Sequence, residues 1–63
     1  MMCDINAFVL KNGEEVKIME NVETVKRDGN QIQLLNIFGE QERINGRMLF
    51  YNNSKKKMVF EEG

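Results

Sequence analysis

The sequence predicts an all-β fold, a small SH3-like barrel of six or seven short antiparallel strands, built as one domain over residues 1–63. Three observations carry this expectation. Apolar and polar residues alternate with a period of two through most of the chain, which sends successive side chains to opposite faces of a strand. Turn-forming residues at Asn12-Gly13, Asp28-Gly29-Asn30, Gly39, Asn45-Gly46 and Asn52-Asn53-Ser54 separate these segments, and such recurring turn signals mark a meander. No segment shows helical periodicity, and no linker or repeat interrupts the chain. Strands this short enclose no spacious sandwich, so curling into a barrel is the route that removes most free edges.

The first strand is predicted from Cys3, Ile5, Ala7 and Val9, which alternate with Asp4, Asn6, Phe8 and Leu10. Its second half, Phe8 to Leu10, is apolar on both faces. Lys11-Asn12-Gly13-Glu14 follows, and Asn-Gly between alternating segments is the strongest short hairpin signal. The return strand carries Val16 and Ile18 among Glu15, Lys17 and Glu20. A separate segment is expected from Val22 to Arg27, before the turn at Asp28-Gly29-Asn30. Ile32 and Leu34 alternate with Gln31 and Gln33 in a strand reaching Phe38 and broken by Gly39. Glu40 to Ile44 is polar, and Asn45-Gly46 reads as another bend. Arg47 to Tyr51 and Lys57 to Glu61 complete the set, joined through Asn52-Asn53-Ser54.

Composition narrows the function classes. Nine basic and ten acidic residues leave a net charge of −1, a poor basis for non-specific binding to phosphates or to an anionic membrane. No apolar run is long enough for a membrane span, and no signal peptide is visible. One cysteine without an export signal points to the cytoplasm. A core for a chain of this length is near the lower limit of self-sufficiency, so self-association into a homodimer is an expected source of stability.

Catalysis is not expected. The chain has no histidine, the usual general base and pH-sensitive ligand. Glu14-Glu15 and Glu61-Glu62 flank a turn and a chain end, as solvated charges do. The glycines are isolated turn residues and form no phosphate loop. Lys55-Lys56-Lys57 is the one basic run; by default it is a solvated hairpin tip, but with Arg43, Arg47 and Tyr51 it would make a basic face carrying an aromatic, as single-strand RNA binders use. Among the five methionines, Met48 and Met58 fall within strand alternation as core or interface filler.

The remaining chemistry sits at Cys3. One thiol forms no internal disulfide and no cysteine-rich zinc site. A lone cysteine is often a small buried hydrophobe; as a thiolate it is a soft metal ligand. Two Cys3 sulfurs across a two-fold axis, completed by terminal amines or backbone amides, would suit nickel(II) in tetragonal coordination. Initiation at Met2 would allow the methionine to be removed and make Cys3 the terminal residue, whereas initiation at Met1 would leave it internal.

The Met2-Cys3 start, Lys11-Asn12-Gly13-Glu14-Glu15, Met19-Glu20-Asn21-Val22, Ile37-Phe38-Gly39-Glu40-Gln41 and Ile44-Asn45-Gly46-Arg47 together resemble the CooT family of small proteins. The resemblance spans nearly the whole chain, with Met1 as an additional residue before the family's Met-Cys. It implies a small β fold, a homodimer, and nickel(II) bound through the near-terminal cysteine, Cys3. The family's founding member accompanies the nickel enzyme carbon monoxide dehydrogenase and is linked to its maturation. Other members are labelled predicted RNA-binding proteins. The expected role is therefore a metallochaperone-like accessory with a nickel enzyme or its maturation machinery as partner, and the alternative is RNA binding.

Overall fold

A computed structural model describes residues 4–63 of the chain. Five strands follow one another: β1 (Ile5–Lys11), β2 (Glu14–Asp28), β3 (Gln31–Asn36), β4 (Gln41–Asn52) and β5 (Lys57–Glu62). They close into a barrel in sequence order. Four seams are antiparallel, and the closing seam, β1 with β5, is parallel. An odd number of strands in an up-and-down ring requires this, because the first and last must run the same way.

The all-β barrel matches the expected class, but the count of six or seven strands is corrected to five. Two pairs of expected strands are each one long, bent strand. Glu14–Asp28 runs unbroken for 15 residues: its first half pairs with β1 and its second half with β3. The bend begins at Asn21, where φ is +55° and the register with β1 shifts, and the register with β3 shifts just beyond it, between Val22 and Thr24. A bulge with an asparagine in the left-handed region turns the strand without ending it. Likewise, Asn45-Gly46 is no turn, because β4 runs through it from its pairing with β3 to its pairing with β5. Gly46 is required there by contact: a Cβ would stand 2.9 Å from the Glu61 carbonyl carbon and 2.9 Å from Glu62 Cα.

The hairpin signals that carry positive φ behave as expected. Asn12 and Gly13 have φ of +51° and +82°, the pair of left-handed residues that a two-residue hairpin of primed type needs. Gly29 serves the β2–β3 turn in the same conformation.

Period-two alternation fills the barrel. Ile5, Ala7 and Val9 of β1 join Met19, Val22, Ile32, Leu34, Ile44, Met58 and Phe60 in one buried cluster. The strand β5 is buried on both sides, since Met58, Val59 and Phe60 are all at or below 1% exposure. Val59 aligns with Phe8 on β1 and Phe50 on β4, so these rings cover it from outside. That explains why Phe8 lies opposite a core position and is still apolar. The Lys57 ammonium sits over both rings, 5.7 Å from Phe8 and 5.8 Å from Phe50, and pairs with Glu15.

Candidate functional site

Cys3, the expected metal ligand, lies outside the described residues. The structure does fix where the chain goes immediately after it. The Asp4 carboxylate is 3.7 Å from the Lys56 ammonium, and the Asn6 amide donates to the Lys56 carbonyl at 2.9 Å. At that end of the barrel β1 also meets the bend of β2, where the Asn21 amide donates to Asn6 Oδ1 at 3.4 Å. Among the described residues, no three His, Cys, Asp or Glu side chains group as a metal site.

A second structure stands at the same end. Asn36 is the one buried polar residue among those described, at 2% exposure. Its Oδ1 accepts from the amides of Phe38 at 3.1 Å and Glu40 at 2.8 Å, and its Nδ2 donates to Glu40 Oε1 at 2.6 Å. Gly39 closes the turn at φ +82°. The Ile37 amide donates to the Asn21 carbonyl at 3.1 Å, tying this turn to the bend of β2. Sequence reading missed the role of Asn36; the signal available was its spacing before Gly39 and Glu40. Replacing it with alanine strands two amide donors, so Asn36→Ala should cost about 2 kcal/mol. Urea unfolding measures this, and an unchanged midpoint would show that water replaces the side chain.

The six residues of the expected basic face have different partners. Arg43 reaches Gln31 Oε1 at 3.5 Å. Arg47 donates twice to Glu61 Oε1 at 3.3 Å and lines a polar cleft of about 420 Å³ with Arg27, Asn30 and Asn45. Tyr51 instead lines an apolar recess with Val25, Met48 and Met58, and its hydroxyl donates to Asn53 Oδ1 at 3.0 Å. Lys55 is exposed in the β4–β5 turn. Lys56 and Lys57 face Asp4 and Glu15. Three of the six cations and aromatics thus already sit against carboxylates.

Lys57 has a structural task that its place in a lysine run concealed. Its side chain is 21% exposed, with the ammonium over the Phe8 and Phe50 rings. Lys57→Ala should lower stability by about 1–2 kcal/mol, from lost packing and cation–π attraction. Lys57→Met, which keeps the stem, should cost less than about 1 kcal/mol. Equal urea midpoints for the two variants would refute this division.

The family model described as CO dehydrogenase accessory protein CooT matches residues 2–61. The fold is similar to a solved structure assigned to CooT from Carboxydothermus hydrogenoformans, with TM-score 0.87, 21% identity, and coverage of 97% of this chain and 98% of that chain. No curated protein matches. The family describes an accessory to an enzyme and not a catalyst. With 2–61 of 63 residues matched, the chain belongs to the CooT family of CO dehydrogenase accessory proteins.

Proposed function

We propose that the chain is a nickel(II)-binding, homodimeric accessory protein of the cytoplasm that serves the maturation of a nickel enzyme, with the Cys3 thiolate of each chain as metal donor. The observation that carries this reading is the family match, which begins at Met2, directly before Cys3, and names an accessory of CO dehydrogenase. Donor chemistry supports it: the sequence holds no histidine and a single thiol, so a second chain is the natural source of a second thiolate. Nickel is cargo here, not a resident cofactor.

Native mass spectrometry of freshly reduced protein titrated with nickel(II) tests the reading. One nickel per two chains is the expected result. A dimer that takes up no nickel would refute it, and a monomer near 7.4 kDa with or without metal would remove the two-chain site. The denatured mass of the same sample reports whether Met1 and Met2 are retained.

RNA binding is the weaker reading. Arg47, Lys56 and Lys57 face carboxylates, and Tyr51 lines an apolar recess apart from the polar cleft that Arg47 lines. Binding that weakens steeply with salt would revive it.

A further inference from the structure

Two Asn-Gly pairs stand in this chain, Asn12-Gly13 in a turn and Asn45-Gly46 inside β4. Asparagine followed by glycine is the pair most prone to spontaneous deamidation, because no side chain shields the attacking amide nitrogen. The glycine nitrogen, on losing its proton to hydroxide, adds to the asparagine Cγ. The bond from Cγ to the side-chain nitrogen then breaks, and ammonia leaves. Water opens the resulting five-membered succinimide at one of its two carbonyls. Opening at Cγ gives aspartate, and opening at the backbone carbonyl gives isoaspartate. One water enters and one ammonia leaves, with no oxidation or reduction. Ring closure requires the peptide plane after the asparagine to rotate until its nitrogen reaches Cγ. The rate in a folded chain therefore follows the free energy needed to release that peptide.

Both asparagines are exposed, so solvent access does not separate them. Backbone attachment does. Asn12 and Gly13 are the whole loop of the β1–β2 hairpin, and the ladder ends beside them at Lys11 with Glu14. Among the described residues, the Gly13 amide donates to no carbonyl of this turn. Rotating its peptide disturbs only a hairpin tip, where opening free energies are smallest. The second pair is held on both sides. The Gly46 amide donates to the Asn30 carbonyl at 3.2 Å, and the Asn45 carbonyl accepts from the Gly63 amide at 3.0 Å. Asn45 pairs with Gln31 of β3 and Gly46 with Glu62 of β5. Rotating that peptide opens the barrel beside Phe60, which is fully buried. A third exposed pair, Asn53-Ser54, has a serine Cβ beside the attacking nitrogen, and its Asn53 Oδ1 accepts from the Tyr51 hydroxyl at 3.0 Å.

We propose that Asn12 is a site of spontaneous deamidation in the folded chain, whereas Asn45, with the same following residue, is protected by its place in the sheet. Either product adds one carboxylate beside Glu14 and Glu15, taking the net charge from −1 to −2. The two products differ in their effect on the barrel. Aspartate keeps the turn, since Asp-Gly serves the same primed hairpin. Isoaspartate places the side-chain methylene in the backbone and lengthens a loop whose length sets the register of its strands. That register pairs Lys11 with Glu14, Leu10 with Glu15 and Val9 with Val16. Val9 is buried, so the lengthened loop disturbs the core as well as the tip.

The test incubates the folded chain in mildly alkaline heavy-oxygen water, with a parallel sample in urea, and maps the peptides by chromatography and mass spectrometry. Heavy oxygen marks each new carboxylate, so modification during digestion is not counted. In the folded chain Asn12 should convert at least about tenfold faster than Asn45, giving aspartyl and isoaspartyl peptides together. In urea, where neither backbone is held, the two rates should agree within about twofold. Equal rates in the folded chain, or an Asn12 that reacts only in urea, overturns the proposal. The isoaspartyl chain, separated chromatographically, should unfold at lower urea than wild type, and Asn12→Asp should unfold where wild type does. An isoaspartyl chain with the wild-type midpoint overturns the effect on register.

Discussion

A Cys3→Ser chain is expected to fold as wild type does and to lose nickel(II) affinity by at least about a hundredfold. Even second-sphere losses at metal sites cost about 10–100-fold, and a serine hydroxyl is a hard, neutral donor in place of a soft anionic one. The barrel should survive because its described core begins at Ile5 and draws on all five strands. Calorimetric titration with nickel(II), alongside urea unfolding, separates the two readings of this residue. If Cys3 is a buried hydrophobe, the serine variant loses stability and nickel affinity is no guide. If it is the donor, affinity falls and stability holds. Binding should also weaken on acidification, since the metal displaces the thiol proton. Unchanged affinity in Cys3→Ser would end the proposed site.

The sequence made the strand class and the hairpin tips legible, because both depend on local signals. Alternation in Ile5-Ala7-Val9 and the Asn12-Gly13 pair each report on a few neighbouring residues. What remained hidden depends on residues distant in sequence. Asn21 lies between two runs that read as separate strands, and only its tie to Asn6 and Ile37 shows that it bends one strand across two neighbours. Lys57 reads as surface charge until Phe8, Phe50 and Glu15 arrive from three other strands. The candidate site divides in the same way. The thiol was visible as composition, whereas the Asn36 turn at the same end of the barrel needed the pairing of Val22 with both Ile5 and Asn36.

Gly46 shows how one dipeptide can carry two meanings, and its substitution has the largest expected effect on stability. Asn45-Gly46 has the composition of a hairpin turn, like Asn12-Gly13, but the two glycines serve opposite purposes. At Gly13 φ is +82°, and a Cβ added there would find nothing within 4 Å. Gly13→Ala therefore meets only the conformational penalty of the left-handed region, about 1–2 kcal/mol. At Gly46 the space itself is taken by backbone: the added carbon would overlap the Glu61 carbonyl oxygen and stand 2.9 Å from Glu62 Cα. These atoms belong to the β4–β5 ladder, where Gly46 pairs with Glu62 and Arg47 with Glu61, so they cannot swing aside as a side chain would. Relief requires opening the seam beside Phe60, which is fully buried. Gly46→Ala should cost about 3–5 kcal/mol, in the range of severe overpacking. That approaches the whole stability expected of a chain this small. The variant should be largely unfolded at about 37 °C by circular dichroism, while Gly13→Ala keeps a cooperative transition. A Gly46→Ala chain within about 1 kcal/mol of wild type would mean that β4 and β5 do not approach so closely, and the bend that makes β4 one strand would have to lie elsewhere.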